Sequence, residues 1–283
     1  MKSLVEKDPL LEGMYWVADA GACSGVYVLE EGRTLIDTGN MYGLIDELRD
    51  LGAPDRLEKI LLTHGHFDHV GGMEEIYQAA SPDLHVHPVA REYLRLHRSP
   101  FPEFFDALEK DGKIKLLRDG ELVEGSPALK VIHTPGHTAG DLCFFDAVSG
   151  ALFSGDTVLP DRNRSGAGFA KPDEVCGGCI RDSVNSLRRL LPVPVRHLLP
   201  GHGDPVFHKG GDRIKISLHS LYKSLYKDRP ERAWLCMGHD LLEAGIFEEA
   251  RQCVAKAVQQ APEDHEAREL FERIEEAVRH KQQ

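Results

Sequence analysis

Apolar positions along the first two-thirds of the chain fall into short β-type runs that alternate with runs at helical spacing. Val26-Tyr27-Val28-Leu29 and Thr34-Leu35-Ile36 read as adjacent strands joined by the turn Glu30-Glu31-Gly32-Arg33. Leu44, Ile45, Leu48 and Leu51 share one helical face, which predicts a helix over Met41–Leu51. Lys59–Thr63 reads as a buried strand, followed by a helix from Met73 to Ala79 and a short strand at Leu84–Val86. The same rhythm predicts strands at Leu129–Ile132, Leu142–Phe145, Ala151–Phe153 and Val195–Leu199, with a helix over Asp182–Leu190. Strands that stop at a histidine or aspartate are followed by glycine-bearing turns: Gly71-Gly72, Pro135-Gly136, Gly155 and Gly201. That pattern puts polar side chains on loops at one edge of a sheet scaffold, where binding groups are usually carried. After about Asp212 the strand-like runs stop, and the rest, rich in Ala, Glu, Leu, Lys and Arg, should be all helical.

Composition narrows the function classes. With 41% hydrophobic and 28% charged residues the 283-residue chain is an ordinary globular protein able to bury a full core. Its formal charge of −12 would repel phosphate backbones and anionic lipid surfaces, so nucleic acid and membrane are poor partners and a small molecule is the expected substrate. The start, Met1-Lys2-Ser3-Leu4-Val5-Glu6-Lys7-Asp8, lacks the apolar stretch of a secretory signal. Six cysteines dispersed along the chain suggest reduced thiols, and the expected location is cytoplasmic.

The run Thr63-His64-Gly65-His66-Phe67-Asp68-His69 carries the chemistry. His64 and His66, two apart on a loop leaving a strand, can face one cation, and Asp68 and His69 can serve a second beside it. Imidazole and carboxylate donors suit zinc, iron or manganese.

This run resembles the H-x-H-x-D-H signature of the metallo-β-lactamase superfamily, and further elements follow in that family's order. They are Ile36-Asp37-Thr38-Gly39, Thr134-Pro135-Gly136-His137-Thr138 preceded by His133, Ser154-Gly155-Asp156-Thr157, and Pro200-Gly201-His202-Gly203. The resemblance runs from about Tyr15 to about Val206 and implies an α/β fold, the αββα sandwich of two sheets with helices outside. It implies a first metal held by His64, His66 and His133, and a second by Asp68, His69 and His202. Asp156 would bridge them opposite a hydroxide. The cofactors so implied are two divalent ions, zinc first, with iron or manganese as alternatives. Asp68 would also act catalytically, orienting the nucleophile and passing its proton on. His66 stands where the flavodiiron branch has glutamate, and Asp156 stands where the antibiotic-hydrolysing branch has a cysteine ligand, so the glyoxalase II and lactonase side fits better.

Other polar residues have smaller roles. Asp37 is expected to brace the histidine loop, and His137 to hydrogen-bond near the metals without being a ligand. His85 and His87 are expected on a sheet face or its following loop. Cys176-Gly177-Gly178-Cys179 has no second cysteine pair to complete a zinc site. In relatives the segment corresponding to Asp161–Cys179 overhangs the metals, making Arg164, Phe169 and Lys171 candidate pocket residues.

Two domains are expected: a catalytic domain over 1–211 and a helical extension over 212–283. Within the extension, Trp234, Gly238, Leu242, Gly245, Phe247, Ala250, Ala257 and Pro262 resemble one tetratricopeptide repeat, about 233–266. A single repeat cannot bury its apolar face alone. It must stack on neighbouring helices, on a second copy of the chain, or on a partner protein.

The reading is a metal-dependent hydrolase of a small ester, thioester or lactone. The alternative is a mononuclear iron persulfide dioxygenase using the counterparts of His64, His133 and Asp156. Phosphodiesterase or nuclease action comes third, because of the acidic charge.

Overall fold

The computed structural model describes residues 1–18, 24–40, 43–94, 102–160 and 168–281. Among them a seven-stranded sheet runs in simple sequence order: β1 (Lys2–Ser3), β2 (Tyr15–Val17), β3 (Val26–Leu29), β4 (Thr34–Ile36), β5 (Lys59–Leu61), β6 (Asp83–Val86) and β7 (Ile114–Leu116). Pairing is antiparallel up to β4 and parallel from β4 to β7. The second sheet has the order β12-β11-β10-β9-β8, built from β8 (Leu122–Val123), β9 (Leu129–His133), β10 (Leu142–Asp146), β11 (Ala151–Gly155) and β12 (His197–Pro200). Only its β11–β12 pair is parallel.

Alternation along each strand explains why two sheets form a sandwich with helices outside. On β3, Tyr27 and Leu29 point to the interior between the sheets, while Val26 and Val28 point to the outer face. On β10, Leu142 and Phe144 face inward, and Cys143 and Phe145 outward. The strands therefore read as continuous apolar runs, since both faces are covered. The inter-sheet core joins Tyr27, Ile36 and Leu61 to Phe144, Phe153 and Leu199. Burying each such side chain contributes about 1.5–3 kcal/mol.

Outside the first sheet lie α1 (Leu44–Arg49), α3 (Met73–Ala79), α4 (Pro88–Tyr93) and α5 (Pro102–Lys110), while α2 (Phe67–Val70) is a single turn at the sheet edge. The expected helix over Met41–Leu51 is thus shorter, its first two residues lying outside those described. Pattern reading missed β1, β2, β7, β8, α2, α4 and α5. β8 has two residues, and β7 is a three-residue edge strand too short and too exposed to stand out.

The second sheet is covered by α6 (Ile180–Leu190) and then by α7 (Gly210–Leu225), α8 (Pro230–Glu243), α9 (Phe247–Gln260) and α10 (His265–Lys281). One apolar core runs from Leu152 and Leu198 on the sheet through Leu187 of α6 and Leu218 of α7 to Leu241, Val254 and Ile274. The boundary expected at 211/212 falls in the first turn of α7, which packs on β12 and α6. Gly238 lets α8 and α9 close up: a Cβ there would sit 2.2 Å from Val254 Cγ2.

A buried polar junction reinforces this packing. Asp240 of α8 forms an ion pair with Arg188 Nη2 of α6 at 2.8 Å and accepts a hydrogen bond from the Tyr222 hydroxyl of α7. Removing that carboxylate orphans the buried phenol, so Asp240→Ala should lower stability by about 1–3 kcal/mol in urea unfolding. An unchanged midpoint would contradict this reading of the junction. The His219 ring of α7 packs tilted against Trp234 with centroids 3.9 Å apart, and Lys256 Nζ lies 4.1 Å from the same indole. Burial, aided by Lys223 and Lys256, pushes the His219 pKa from 6.5 down to about 4. The unfolded chain takes up that proton first, so stability attributable to His219 is intact above pH 6.5 and falls as pH drops toward 4. His219→Phe should flatten that slope in unfolding midpoints measured across this window; an identical slope would refute the assignment.

Candidate metal centre

The histidine run leaves β5 held by a single buried carboxylate. Asp37, just after β4, has a left-handed backbone (φ +56°), which aspartate adopts more readily than most residues. Its Oδ1 accepts the Thr63 amide at 2.8 Å, and its Oδ2 accepts both the Thr63 hydroxyl and His69 Nδ1 at 2.7 Å. The role expected of Asp37 is what these contacts perform. Thr38 holds the His69 carbonyl through its amide (2.8 Å) and hydroxyl (3.1 Å). Across the sandwich, the Leu142 amide of β10 donates to the Thr63 carbonyl at 2.8 Å, tying the second sheet to the start of the run.

Hydrogen bonding assigns the imidazole protons. The Thr63 hydroxyl spends its hydrogen on Asp37, so His64 Nδ1, 3.1 Å away, donates to it and leaves Nε2 with a lone pair. His66 Nε2 donates to Asp173 Oδ2 at 3.1 Å, leaving Nδ1 bare. His137 Nδ1 donates to the Lys171 carbonyl at 2.6 Å, leaving Nε2 bare. His66 Nδ1 and His137 Nε2 then face one another at 2.9 Å, lone pair to lone pair, beside His64 Nε2. Three converging lone pairs repel unless positive charge lies among them, so this donor set fits a cation. Burial first, then His69, holds His64 well below its ordinary pKa, and burial followed by His137 lowers His66. Both rings are therefore neutral, the form that ligates.

A second group adjoins the first. His202 Nε2 is 3.0 Å from Asp68 Oδ2, and His69 Nε2 is 4.0 Å from the same oxygen. Asp156 lies between the two groups: Oδ1 is 3.5 Å from His69 Nε2, and Oδ2 is 3.7 Å from His137 Nε2 and 3.8 Å from His202 Nε2. Burial alone would raise the Asp156 pKa, but His69 and the other imidazoles outweigh it and hold the carboxyl well below its usual range. Burial would lower His69, yet Asp37 and Asp156 outweigh it and hold the ring well above its ordinary value. These carboxylates demand positive charge, whether a proton or a cation supplies it. His64 Nε2, His69 Nε2 and Asp156 Oδ1 are buried with no hydrogen-bond partner among the described residues. Polar atoms left so are costly, and metal coordination would satisfy them.

Of the seven ligands expected from the sequence, the structure brings together His64, His66, Asp68, His69, Asp156 and His202, but not His133. His133 ends β9 with its ring stacked on His87 at 4.1 Å and its Nε2 3.0 Å from the Ala139 carbonyl. His137 occupies the expected place, correcting both assignments. The β9–β10 connection folds back over the strand ends, fastened by Asp141, whose carboxylate accepts the Thr138 amide (2.7 Å) and hydroxyl (2.5 Å). Four residues of separation could not distinguish the two histidines, because the path of that loop decides which ring reaches the centre. His85 and His87 lie outside the cluster. Phe169 is buried in the second-sheet core, Lys171 contributes its carbonyl, and Arg164 lies outside the described residues.

The geometry defines a two-sheet sandwich with a histidine–aspartate metal centre at the strand ends. A family model described as the Metallo-beta-lactamase superfamily matches residues 19–202. The chain is 30% identical over 243 residues to the Beta-lactamase-like protein 2 homolog of Drosophila melanogaster, covering 75% of this chain and 77% of the fly protein. It is 28% identical over 187 residues to the Atrochrysone carboxyl ACP thioesterase of Aspergillus fumigatus, covering 64% of this chain and half (50%) of the fungal one. Among solved structures, TTHA1623 in a di-iron-bound form is 26% identical with a TM-score of 0.55, covering 71% of this chain and 98% of that one. The chain belongs to the metallo-β-lactamase superfamily, whose members bind divalent metals.

The correction at the β9–β10 loop is directly testable. His137→Ala should lose close to one metal equivalent per chain by elemental analysis, while His133→Ala should retain the wild-type content. The reverse pattern would restore His133 as the ligand.

Proposed function

We propose that the protein is a dinuclear metal-dependent hydrolase acting on a small ester, thioester or lactone. The observation that carries this reading is the pair of donor groups sharing one carboxylate: His64, His66 and His137 on one side of Asp156, Asp68, His69 and His202 on the other. Two cations held by these residues would supply Lewis acidity, lowering the pKa of a bound water and polarising the bond under attack. The di-iron form of TTHA1623 and the thioesterase activity in the name of the fungal relative support two metals and acyl transfer respectively. The metals would be zinc, iron or manganese, as nitrogen and oxygen donors suit.

The chain's own residues supply the remaining work. Asp68, about one-third exposed, lies at the open side of the cluster, so it can orient the attacking water and move its proton to the leaving group. Burial would raise the Asp68 pKa, but the His202 hydrogen bond and the charges of His69 and His202 together outweigh it and keep its carboxyl below the usual range, hence ionised. The buried His64, His69 and Asp156 give that chemistry a rigid floor.

One-iron persulfide oxidation would need only part of this set. The closeness of Asp68 to His202, at 3.0 Å beside His69, favours the hydrolytic reading. The acidic charge weighs against a nucleic-acid substrate. We also read α8 and α9 as one tetratricopeptide-like unit, open to a second copy of the chain or to a protein partner, in line with Gly238 against Val254.

Purified protein should carry close to two metals per chain and hydrolyse a member of a thioester, ester and lactone panel. Chelation should abolish that activity, and Asp68→Asn should lower kcat by about 10²–10⁴-fold. Full activity after complete metal removal would overturn the proposal. One iron per chain with oxygen uptake on a persulfide would replace it.

A further inference from the structure

The segment from Lys171 to Gly178 includes most of the Cys-Gly-Gly-Cys motif that the metal chemistry leaves unexplained, and it grips the centre from behind. Two cluster histidines come from different sheets: His66 follows β5 of the first, and His137 lies between β9 and β10 of the second. The segment touches both, in each case at the ring nitrogen turned away from the cluster. Asp173 Oδ2 takes His66 Nε2 at 3.1 Å, and the Lys171 carbonyl takes His137 Nδ1 at 2.6 Å. The backbone of the His137 loop is fastened as well: the Asp173 amide donates to the His137 carbonyl at 2.7 Å, and the Ala139 amide to the Cys176 carbonyl at 2.9 Å.

The turn itself is braced so that Asp173 cannot swing. Its Oδ1 accepts the Val175 amide at 3.0 Å and the Cys176 amide at 3.4 Å. The Gly178 amide returns to the Asp173 carbonyl at 2.8 Å. Gly178 must be glycine, because a Cβ would stand 2.1 Å from the His137 carbonyl oxygen. The motif's spacing thus serves close packing against the His137 loop.

We propose that Asp173 is a positioning residue for the first metal. It fixes the tautomer and orientation of His66 so that Nδ1 meets His137 Nε2 and His64 Nε2 around one cation. This rests on the metal reading above and extends it. A carboxylate on the far nitrogen of a ligating imidazole sets the ring's angle and strengthens it as a donor, and losing such a partner weakens metal binding by about 10–100-fold.

Asp173→Asn tests the assignment, since asparagine keeps an oxygen for the Val175 and Cys176 amides and loses the charge facing His66. Zinc affinity measured by chelator competition should fall about 10–100-fold at one site, while the thermal midpoint of the metal-free protein stays at the wild-type value. Glu174→Gln, an equal charge loss on an exposed neighbour, should leave zinc affinity unchanged. In zinc-loaded wild-type protein, His66 should show a solvent-protected, downfield Nε2–H proton by NMR, a readout that needs no substitution at 173. Wild-type zinc affinity in Asp173→Asn, or a His66 ring protonated at Nδ1, overturns the positioning role alone. A wild-type chain that binds no zinc, iron or manganese overturns the metal reading with it.

Discussion

An imidazole ligates through one nitrogen only when the other has somewhere to put its proton. In this protein four histidines have that outer nitrogen assigned to a protein oxygen: His64 to the Thr63 hydroxyl, His66 to Asp173, His69 to Asp37 and His137 to the Lys171 carbonyl. With those protons placed, the inner nitrogens of His64, His66 and His137 turn toward one another, and His69 Nε2 faces Asp156. The rest of the architecture can be understood as what keeps these four acceptors where they are. The cost is concentrated at one spot, because like-oriented lone pairs and buried carboxylates are tolerable only around positive charge.

The sandwich supplies the acceptors from opposite sides. Asp37 and Thr63 sit at the ends of adjacent parallel strands of the first sheet, whereas Lys171 and Asp173 reach the site from the connection that follows β11 of the second. Bonds across the interior hold the two halves in register. The Tyr27 hydroxyl of β3 donates to the Pro200 carbonyl of β12 at 2.8 Å, and the Gly25 amide to the Gly201 carbonyl at 2.7 Å. His202 therefore hangs from a loop fixed at both sheets, although its own ring is half-exposed. Positional control of this kind is what a polarising centre requires, since misplacement by even an ångström is costly in rate.

The C-terminal helices share in this rigidity through the other face of the second sheet. The apolar layer that backs β11 and β12 is continuous with the interiors of α7 to α10, and Asp240 locks three helices at one point. Helix α7 also reaches the segment beyond Asp156, where the Ser217 hydroxyl donates to the Gly168 carbonyl at 2.7 Å. No helix among the described residues is long and apolar enough to cross a membrane.

Much of this was legible along the chain. Continuous apolar runs located the central strands because both sheet faces are buried, and helical spacing located α3, α6 and the C-terminal helices. Edge strands escaped because they are short and partly exposed, as at Ile114–Leu116. The run His64 to His69 declared its chemistry because neighbours in sequence there are neighbours in space. His133 and His137 marked the limit: both sit near the right strand end, and only the return of the β9–β10 loop decides which ring faces Asp156. Asp173 carries no local signal, since it meets His66 from 107 residues away. Residue order therefore determined which donors exist and which strands carry them. Tertiary structure decided which lone pairs converge, because a ring's direction is set by the oxygen that takes its other proton, and those oxygens arrive from across the fold.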